Sequence, residues 1–166
     1  FARVHKVFAE RGAHEKVVWM GAGKLGFPER AMMAFCLGID MIAVAREAMM
    51  AIGCIQAQRC HTGHCPTGVA TQNKWLIRGL DPLDKGARLA NYMVQLRKEL
   101  LLLSRACGVD HPALLSAEEI EIVDEKFGSR TLREVFGYEP GWEHPSRVDQ
   151  ATILDVMESR TRRRVH

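Results

Sequence analysis

Two short apolar runs on either side of a single helical segment constrain this chain more than any other feature. Lys16 to Met20 and Met41 to Ala45 are rich in β-branched and apolar residues, the pattern of strands buried on both faces. The first run leads straight into the glycine turn Gly21-Ala22-Gly23-Lys24. Between the runs, Pro28 suits the first turn of a helix that presents Met32, Phe35 and Cys36 inward and ends at Gly38. Strand, glycine turn, helix and strand in this order make a βαβ unit, whose strands must run parallel and be joined by a right-handed crossover. The fold class is therefore α/β.

The flanks extend this unit. Val4, Val7 and Phe8 lie at helical spacing ahead of Gly12, so residues 2–11 read as the end of a helix. The chain opens at Phe1, without Met, inside that pattern, which sets the expectation of a fragment. Beyond Arg46 a short apolar segment, Glu47 to Ile52, leads through Gly53 into a region with Gly63, Pro66 and Gly68 that reads as irregular loop. The longest helix follows. Asp81 is its N-cap and Pro82 its first residue, with Leu89, Met93, Leu96, Leu100, Leu103 and Cys107 forming an apolar seam until Gly108 stops it. Ser116-Ala-Glu-Glu119 and Thr131-Leu-Arg-Glu134 each fit a capping box and predict two shorter helices. Gly137 to Pro145 is a turn-rich linker, and residues 148–166 read as a weak helix ending in a basic tail. The organisation expected is 1–53 for the βα units, 54–80 for the cysteine loop, 81–147 for a helical extension and 148–166 for the tail.

Composition narrows the class of partner. The chain has 166 residues, 47% apolar and 26% charged, which is neither disordered nor membrane-spanning. Its net charge of +3 comes from residues 158–166, where Arg160, Arg162, Arg163 and Arg164 stand against Glu158. A domain-wide basic footprint for nucleic acid is therefore absent, and the tail reads as a solvated end. No apolar stretch approaches the roughly 20 residues of a spanning helix, and no charged-then-apolar leader opens the sequence. The expectation is a cytoplasmic protein.

The strongest chemical signal is Cys54-Ile-Gln-Ala-Gln-Arg-Cys60-His-Thr-Gly-His-Cys65-Pro66. Three thiols a few residues apart on loop backbone can reach separate corners of one compact inorganic cluster, and three ligands suit a cluster lacking one iron. Structural zinc takes four ligands and favours a C-x2-C knuckle, which is missing here, although His61 or His64 can complete a set. Packing of three apolar thiols fits poorly with a loop that also carries Arg59, His61 and His64. Cys36 and Cys107, on apolar helix faces, are assigned to packing.

The second signal lies at the strand ends. Gly21, Ala22, Gly23 and Lys24 follow one strand and Ala45-Arg46 the next, and the carboxyl ends of parallel strands are where α/β proteins place ligands. Small residues let backbone N–H groups approach an anion, a helix start points its positive end at the same place, and Lys24 and Arg46 add charge. This composition suits a phosphate, while the same glycines also serve simply to end strands. In (β/α)8 barrels such a phosphate is frequently held after the seventh and eighth strands.

Together, Gly23-Lys-Leu-Gly26, Ala45-Arg-Glu-Ala-Met-Met-Ala-Ile-Gly-Cys54 and Arg59-Cys-His-Thr-Gly-His-Cys-Pro-Thr-Gly-Val-Ala-Thr-Gln72 resemble the FMN-binding central domain of glutamate synthase and shorter proteins like it. The resemblance is close over residues 15–108 and softer around Phe127-Gly-Ser to Pro140-Gly-Trp142. It implies a (β/α)8 TIM barrel of which this chain holds the last two βα units, followed by a cysteine-rich loop and a helical carboxyl-terminal extension. It implies FMN and a 3Fe-4S cluster, and reduction to L-glutamate of the 2-iminoglutarate formed from 2-oxoglutarate and ammonia. By the same carry-over Cys54, Cys60 and Cys65 match the cluster ligands. Gly21, Ala22, Gly23, Lys24, Ala45 and Arg46 match the segments that hold the FMN phosphate. The partners implied are 2-oxoglutarate or a related keto acid, an electron-donor subunit or a ferredoxin or NAD(P)H reductase, and a separate glutamine amidotransferase subunit.

Several residues depart from the pattern. Six strands of such a barrel are missing, and Ala22 stands where these proteins often carry Ser, which removes a hydroxyl donor but not the backbone donors. Strands without partners expose edges, so a chain of this extent is expected to fold poorly alone and to be inactive. Two other readings keep parts of the pattern: a zinc-stabilised binding module with a basic tail, and a cofactor-free structural fragment.

Overall fold

The computed structural model describes residues 1–123 and 128–162. Phe127 of the softer stretch, and Arg163 and Arg164 of the basic tail, lie outside the described residues. A helix over Ala2–Ala9 (α1) is followed by a 3-10 turn at His14–Lys16 and a strand at Met20–Ala22 (β1). Then come a helix at Pro28–Cys36 (α2), a strand at Met41–Ala43 (β2) and a short helix at Arg46–Ala51 (α3). The strands pair in parallel with Met20 opposite Met41, Gly21 opposite Ile42 and Ala22 opposite Ala43. The βαβ unit expected from the sequence is thus present, and the molecule is α/β in character.

The strands differ from expectation in place and in burial. Lys16 closes the 3-10 turn, and Trp19 binds Asp40 before the ladder starts: its N–H donates to Asp40 Oδ2 at 2.7 Å and its carbonyl accepts from the Asp40 N–H at 3.0 Å. A side chain thus takes over pairing that the strand would otherwise provide, so β1 begins at Met20 and absorbs Gly21 and Ala22. Val44 and Ala45 leave β2 and form the connection to α3, with Ala45 just before its first residue. Neither strand is buried on both faces. Met20 is 64% exposed and Met41 52%, whereas Gly21 is buried and Ile42 packs on the core from the other face.

The core lies on the helical side. Met32 and Cys36 of α2 meet Leu96 and Leu100 of a 25-residue helix, Pro82–Ala106 (α4), and Leu115, Ala117, Leu132 and Tyr138 close the cluster. The α4 cap is as expected, with Asp81 Oδ1 accepting from the N–H groups of Leu83 and Asp84 at 2.8 and 3.3 Å. Its seam is narrower than expected. Leu96, Leu100 and Ser104, at four-residue steps, are buried, whereas Met93, Leu103 and Cys107 are exposed. Four-residue steps keep a single flank of a 3.6-residue helix against α2, and the intervening three-residue steps turn away from it. Cys107 is therefore not a packing residue.

Beyond α4 a second correction appears. Ser116 to Glu119 forms half of its box, with Glu119 Oε2 accepting from the Ser116 N–H at 3.1 Å while the Ser116 hydroxyl oxygen accepts from the Glu118 N–H at 3.3 Å instead of that of Glu119, and no helix follows. A strand at Glu121–Val123 (β3) pairs antiparallel with Ser129–Thr131 (β4), because Ile120, Ile122 and Val123 favour extended backbone. The second box is real: Thr131 caps a helix at Leu132–Phe136 (α5) with both reciprocal bonds, and Gly137 ends it in the left-handed conformation. A last helix, Arg147–Arg162 (α6), follows the linker. No helix among the described residues is long and apolar enough to cross a membrane.

Candidate functional site

Parallel register fixes the geometry at the carboxyl edge of the small sheet. Since Ala22 stands opposite Ala43, the turn after β1 and the entry to α3 leave the sheet side by side. In that turn Gly23 has φ +128° and Lys24 φ +60°, and a Cβ on Gly23 would meet nothing within 4 Å. Gly23 is thus needed for its backbone conformation, and Lys24 shares the left-handed region that residues with a Cβ rarely enter. Gly21 serves packing instead, since a Cβ there would run into Ile39 and Leu25. Ala22, Gly23, Lys24, Ala45 and Arg46 are exposed, and no side chain caps the start of α3. That leaves its first N–H groups for another acceptor.

The turn is anchored from behind. A Cβ on Gly26 would lie 2.6 Å from both Glu47 Cβ and Tyr92 Oη, and the Tyr92 hydroxyl donates to the Gly26 carbonyl at 2.7 Å. Glu47, buried in the first turn of α3, faces this contact; burial and then the Glu47 charge raise the Tyr92 phenol above its usual range.

The cysteine loop begins as α3 ends. The Cys54 N–H donates to the Met49 carbonyl at 3.0 Å, and the Gln56 N–H points back at Cys54 Sγ at 3.4 Å. Gln56 and Gln58 both take φ +55°, an uncommon conformation that bends the loop back on itself. Cys60 opens a 3-10 turn, Cys60–Thr62, that Gly63 ends, and its side chain is exposed. Cys65 is 7% exposed. Its Sγ lies 3.5 Å from Thr67 Oγ1, and hydrogen bonds from the Thr67 hydroxyl, then from the backbone of Ala70, Thr67 and Val69, bring its pKa down to about 7 against the opposing effect of burial. The loop is pinned through two glycines: a Cβ on Gly68 would strike the Leu76 carbonyl, and one on Gly79 would lie 2.6 Å from the Thr67 carbonyl.

Cys54, Cys60 and Cys65 line one open cleft of about 400 Å³ together with Ala45 and Arg46. Arg59 lines it too, and no carboxylate does, so its charged groups are both guanidinium. Gly21 to Lys24 lie outside this cleft. Among the described residues no three His, Cys, Asp or Glu side chains stand close enough together to hold a metal ion. The three thiols therefore share a cleft without sharing a ligand point. All five cysteines are free, and Cys36, fully buried, has its thiol pushed up to about 12 by burial, then by Glu119, Cys107 and Glu143. His61 and His64 are exposed, and His64 Nδ1 is occupied by the Thr62 carbonyl at 2.8 Å. Thr67 is the functional neighbour that reading the sequence missed; a hydroxyl two residues after a cysteine in a Gly- and Pro-rich loop is the signal that points to it.

Comparison with known proteins identifies the family of the chain. The sequence profile described as a conserved region in glutamate synthase matches residues 1–110. The chain belongs to the glutamate synthase family. Among its relatives is the glutamate synthase large subunit-like protein YerD of Bacillus subtilis, 35% identical over 117 residues, which are 70% of this chain and 22% of that protein. The ferredoxin-dependent glutamate synthase of Cyanidium caldarium is 32% identical over 134 residues, 81% of this chain and 7% of the relative. The archaeal NADPH glutamate synthase of Methanocaldococcus jannaschii is 31% identical over 109 residues, 66% and 21%. The chain thus spans less than a quarter of each of these relatives.

Proposed function

We propose that this chain is the carboxyl-terminal part of an FMN- and iron–sulfur-dependent oxidoreductase that forms L-glutamate reductively. In this reading residues 1–53 are the last two βα units of a (β/α)8 barrel and 54–80 the cluster loop, with 81–147 a helical extension and 148–166 the basic tail. The observation that carries the reading is the cleft that three cysteines line together with Arg46, the first residue of α3, in a chain of this family. Cys54, Cys60 and Cys65 would hold the 3Fe-4S cluster, and Gly21, Ala22, Gly23, Lys24, Ala45 and Arg46 the FMN phosphate.

The donor chemistry fits both groups. A thiol with a pKa of about 7 is half ionised near neutrality, as a cluster ligand requires, and the Thr67 hydroxyl beside the Cys65 sulfur favours its thiolate. Arg46 and Arg59 place positive charge beside the thiolates with no carboxylate to oppose it. At the sheet edge, the free N–H groups at the start of α3, the Gly23 turn and the Lys24 ammonium are the donors a phosphate needs. When bound, FMN supplies hydride transfer and the 3Fe-4S cluster single electrons for reduction of the imine made from 2-oxoglutarate, or a related keto acid, and ammonia. The electron donor is a ferredoxin or a nicotinamide-dependent partner, as the names of the relatives indicate for those proteins. A glutamine amidotransferase subunit supplies the nitrogen, and the reaction is placed in the cytoplasm.

The test is glutamate formation from 2-oxoglutarate and glutamine or ammonia by the full-length protein, with reduced ferredoxin or NADPH as donor. The reading predicts L-glutamate as product and its loss in the Cys60→Ser protein. No glutamate with either donor, or a Cys60→Ser protein as active as wild type, contradicts it.

A further inference from the structure

A second cavity lies away from the cysteine loop, between α4, the edge of the sheet and α6. Its volume is about 430 Å³, within the range of small-molecule sites. The walls are mostly apolar, formed by Phe35, Ile42, Leu96, Leu100 and Ile153 among others. Its three ionisable lining groups are Arg97, Arg160 and His111, and no carboxylate lines it among the described residues.

Those groups are unspent. Neither Arg97 nor Arg160 is paired with a carboxylate among the described residues, although Arg105 and Arg133 are paired elsewhere. His111 Nδ1 accepts from the Ala113 N–H at 3.2 Å, which leaves the ring proton on Nε2 as a donor. Burial, then the charges of Arg97 and Arg160, lower the His111 pKa, so both guanidinium groups act on the ring and the imidazole is neutral at physiological pH. Two guanidinium groups and an N–H donor beside an apolar cavity match a ligand with an anionic head and an apolar body.

We propose that this cavity binds a medium-chain aliphatic carboxylate, with its chain between α4 and α6 and its head between Arg97, Arg160 and His111. A planar carboxylate accepts two hydrogen bonds from a guanidinium, and an aliphatic chain fills the remaining walls, in which the Thr152 hydroxyl is already spent on the Val148 carbonyl at 2.9 Å.

The test is calorimetric titration of the full-length protein with decanoate below its micellar concentration, set against decan-1-ol, which has the same chain and no charge. Saturable binding of decanoate is expected, with decanol weaker by about tenfold or more, the worth of hydrogen bonds to a charged head. The Arg97→Gln/Arg160→Gln protein should bind decanoate as weakly as decanol, and Ile153→Trp, which fills the path of the chain, should lose both ligands. The wild-type comparison of the two ligands stands even where a variant folds badly. No binding of decanoate, binding no tighter than that of decanol, or unchanged affinity in a folded double variant overturns the assignment.

Discussion

The Thr67 hydroxyl contributes most to lowering the Cys65 pKa to about 7, ahead of the amides of Ala70, Thr67 and Val69. Thr67→Val removes that hydroxyl and keeps the shape of the side chain. The thiol of the metal-free protein is then expected to titrate upward, toward the ordinary value of about 8.5, when its alkylation rate is followed against pH. An unchanged profile would show that the amides alone set the charge. The same reasoning explains what a reader of the sequence could and could not see. Cys54, Cys60 and Cys65 stand out by spacing, and Cys36 packs in the core as its helix face predicts. Cys107 carried the same signal as Cys36 and is exposed, because its side of α4 turns away from α2. Thr67 was invisible because its role depends on a turn that brings position i+2 back to the sulfur.

Among the elements, α1 docks through His5, which is 1% exposed and stacks on Tyr138 at 5.4 Å. Burial, then the neighbouring charge of His14, lowers its pKa from 6.5 to about 4, and Glu143 only partly offsets this. The unfolded imidazole therefore takes a proton before the folded one does. Stability should be complete above the unfolded value of 6.5 and should fall by about 3 kcal/mol as pH drops through the folded value of about 4. Urea titrations from pH 7 to 4 measure this, and a flat profile contradicts it. Glu143 works through a related network. Burial opposes its charge, but its own backbone, the Ala117 N–H and Arg133 together hold its pKa below the usual carboxylate value. Its Oε1 accepts from Arg133 Nη2 at 2.9 Å, with Glu143 fully buried. Arg133→Met should cost about 3–5 kcal/mol by stranding that charge, and Arg133→Met/Glu143→Gln should recover most of the loss. Equal melting temperatures for wild type and the single variant would contradict the network. The α2 and α4 starts and the α5 capping box were legible because Pro28, Asp81-Pro82 and Thr131-Glu134 act locally. The β3–β4 hairpin and the shortened β1 were not, since Ser116 spends its box in one turn and Asp40 reaches Trp19 across the crossover.

At the scale of the whole molecule, the two parallel strands present Met20 and Met41 outward on the face away from the helices, with Val18 at 72% exposure just before them. In a closed barrel that face would be the packed interior, and the carboxyl edge beside it would carry the proposed phosphate site. The cysteine loop connects this edge to α4 and is fixed by the Gly68 and Gly79 approach. Gly68→Ala combines a strained φ of +79° with a clash on the Leu76 carbonyl, and should cost about 2 kcal/mol or more while lowering bound iron in the purified protein. Full iron content and unchanged stability in that variant would show that the loop tolerates displacement. The most direct test of the central claim is the visible absorption spectrum of the full-length protein purified anaerobically, with iron, sulfide, zinc and flavin quantified in the same sample. The account predicts flavin bands over a broad brown shoulder and iron near three per chain, as a three-cysteine cluster requires at about one thiolate per iron. A colourless protein carrying zinc would contradict it.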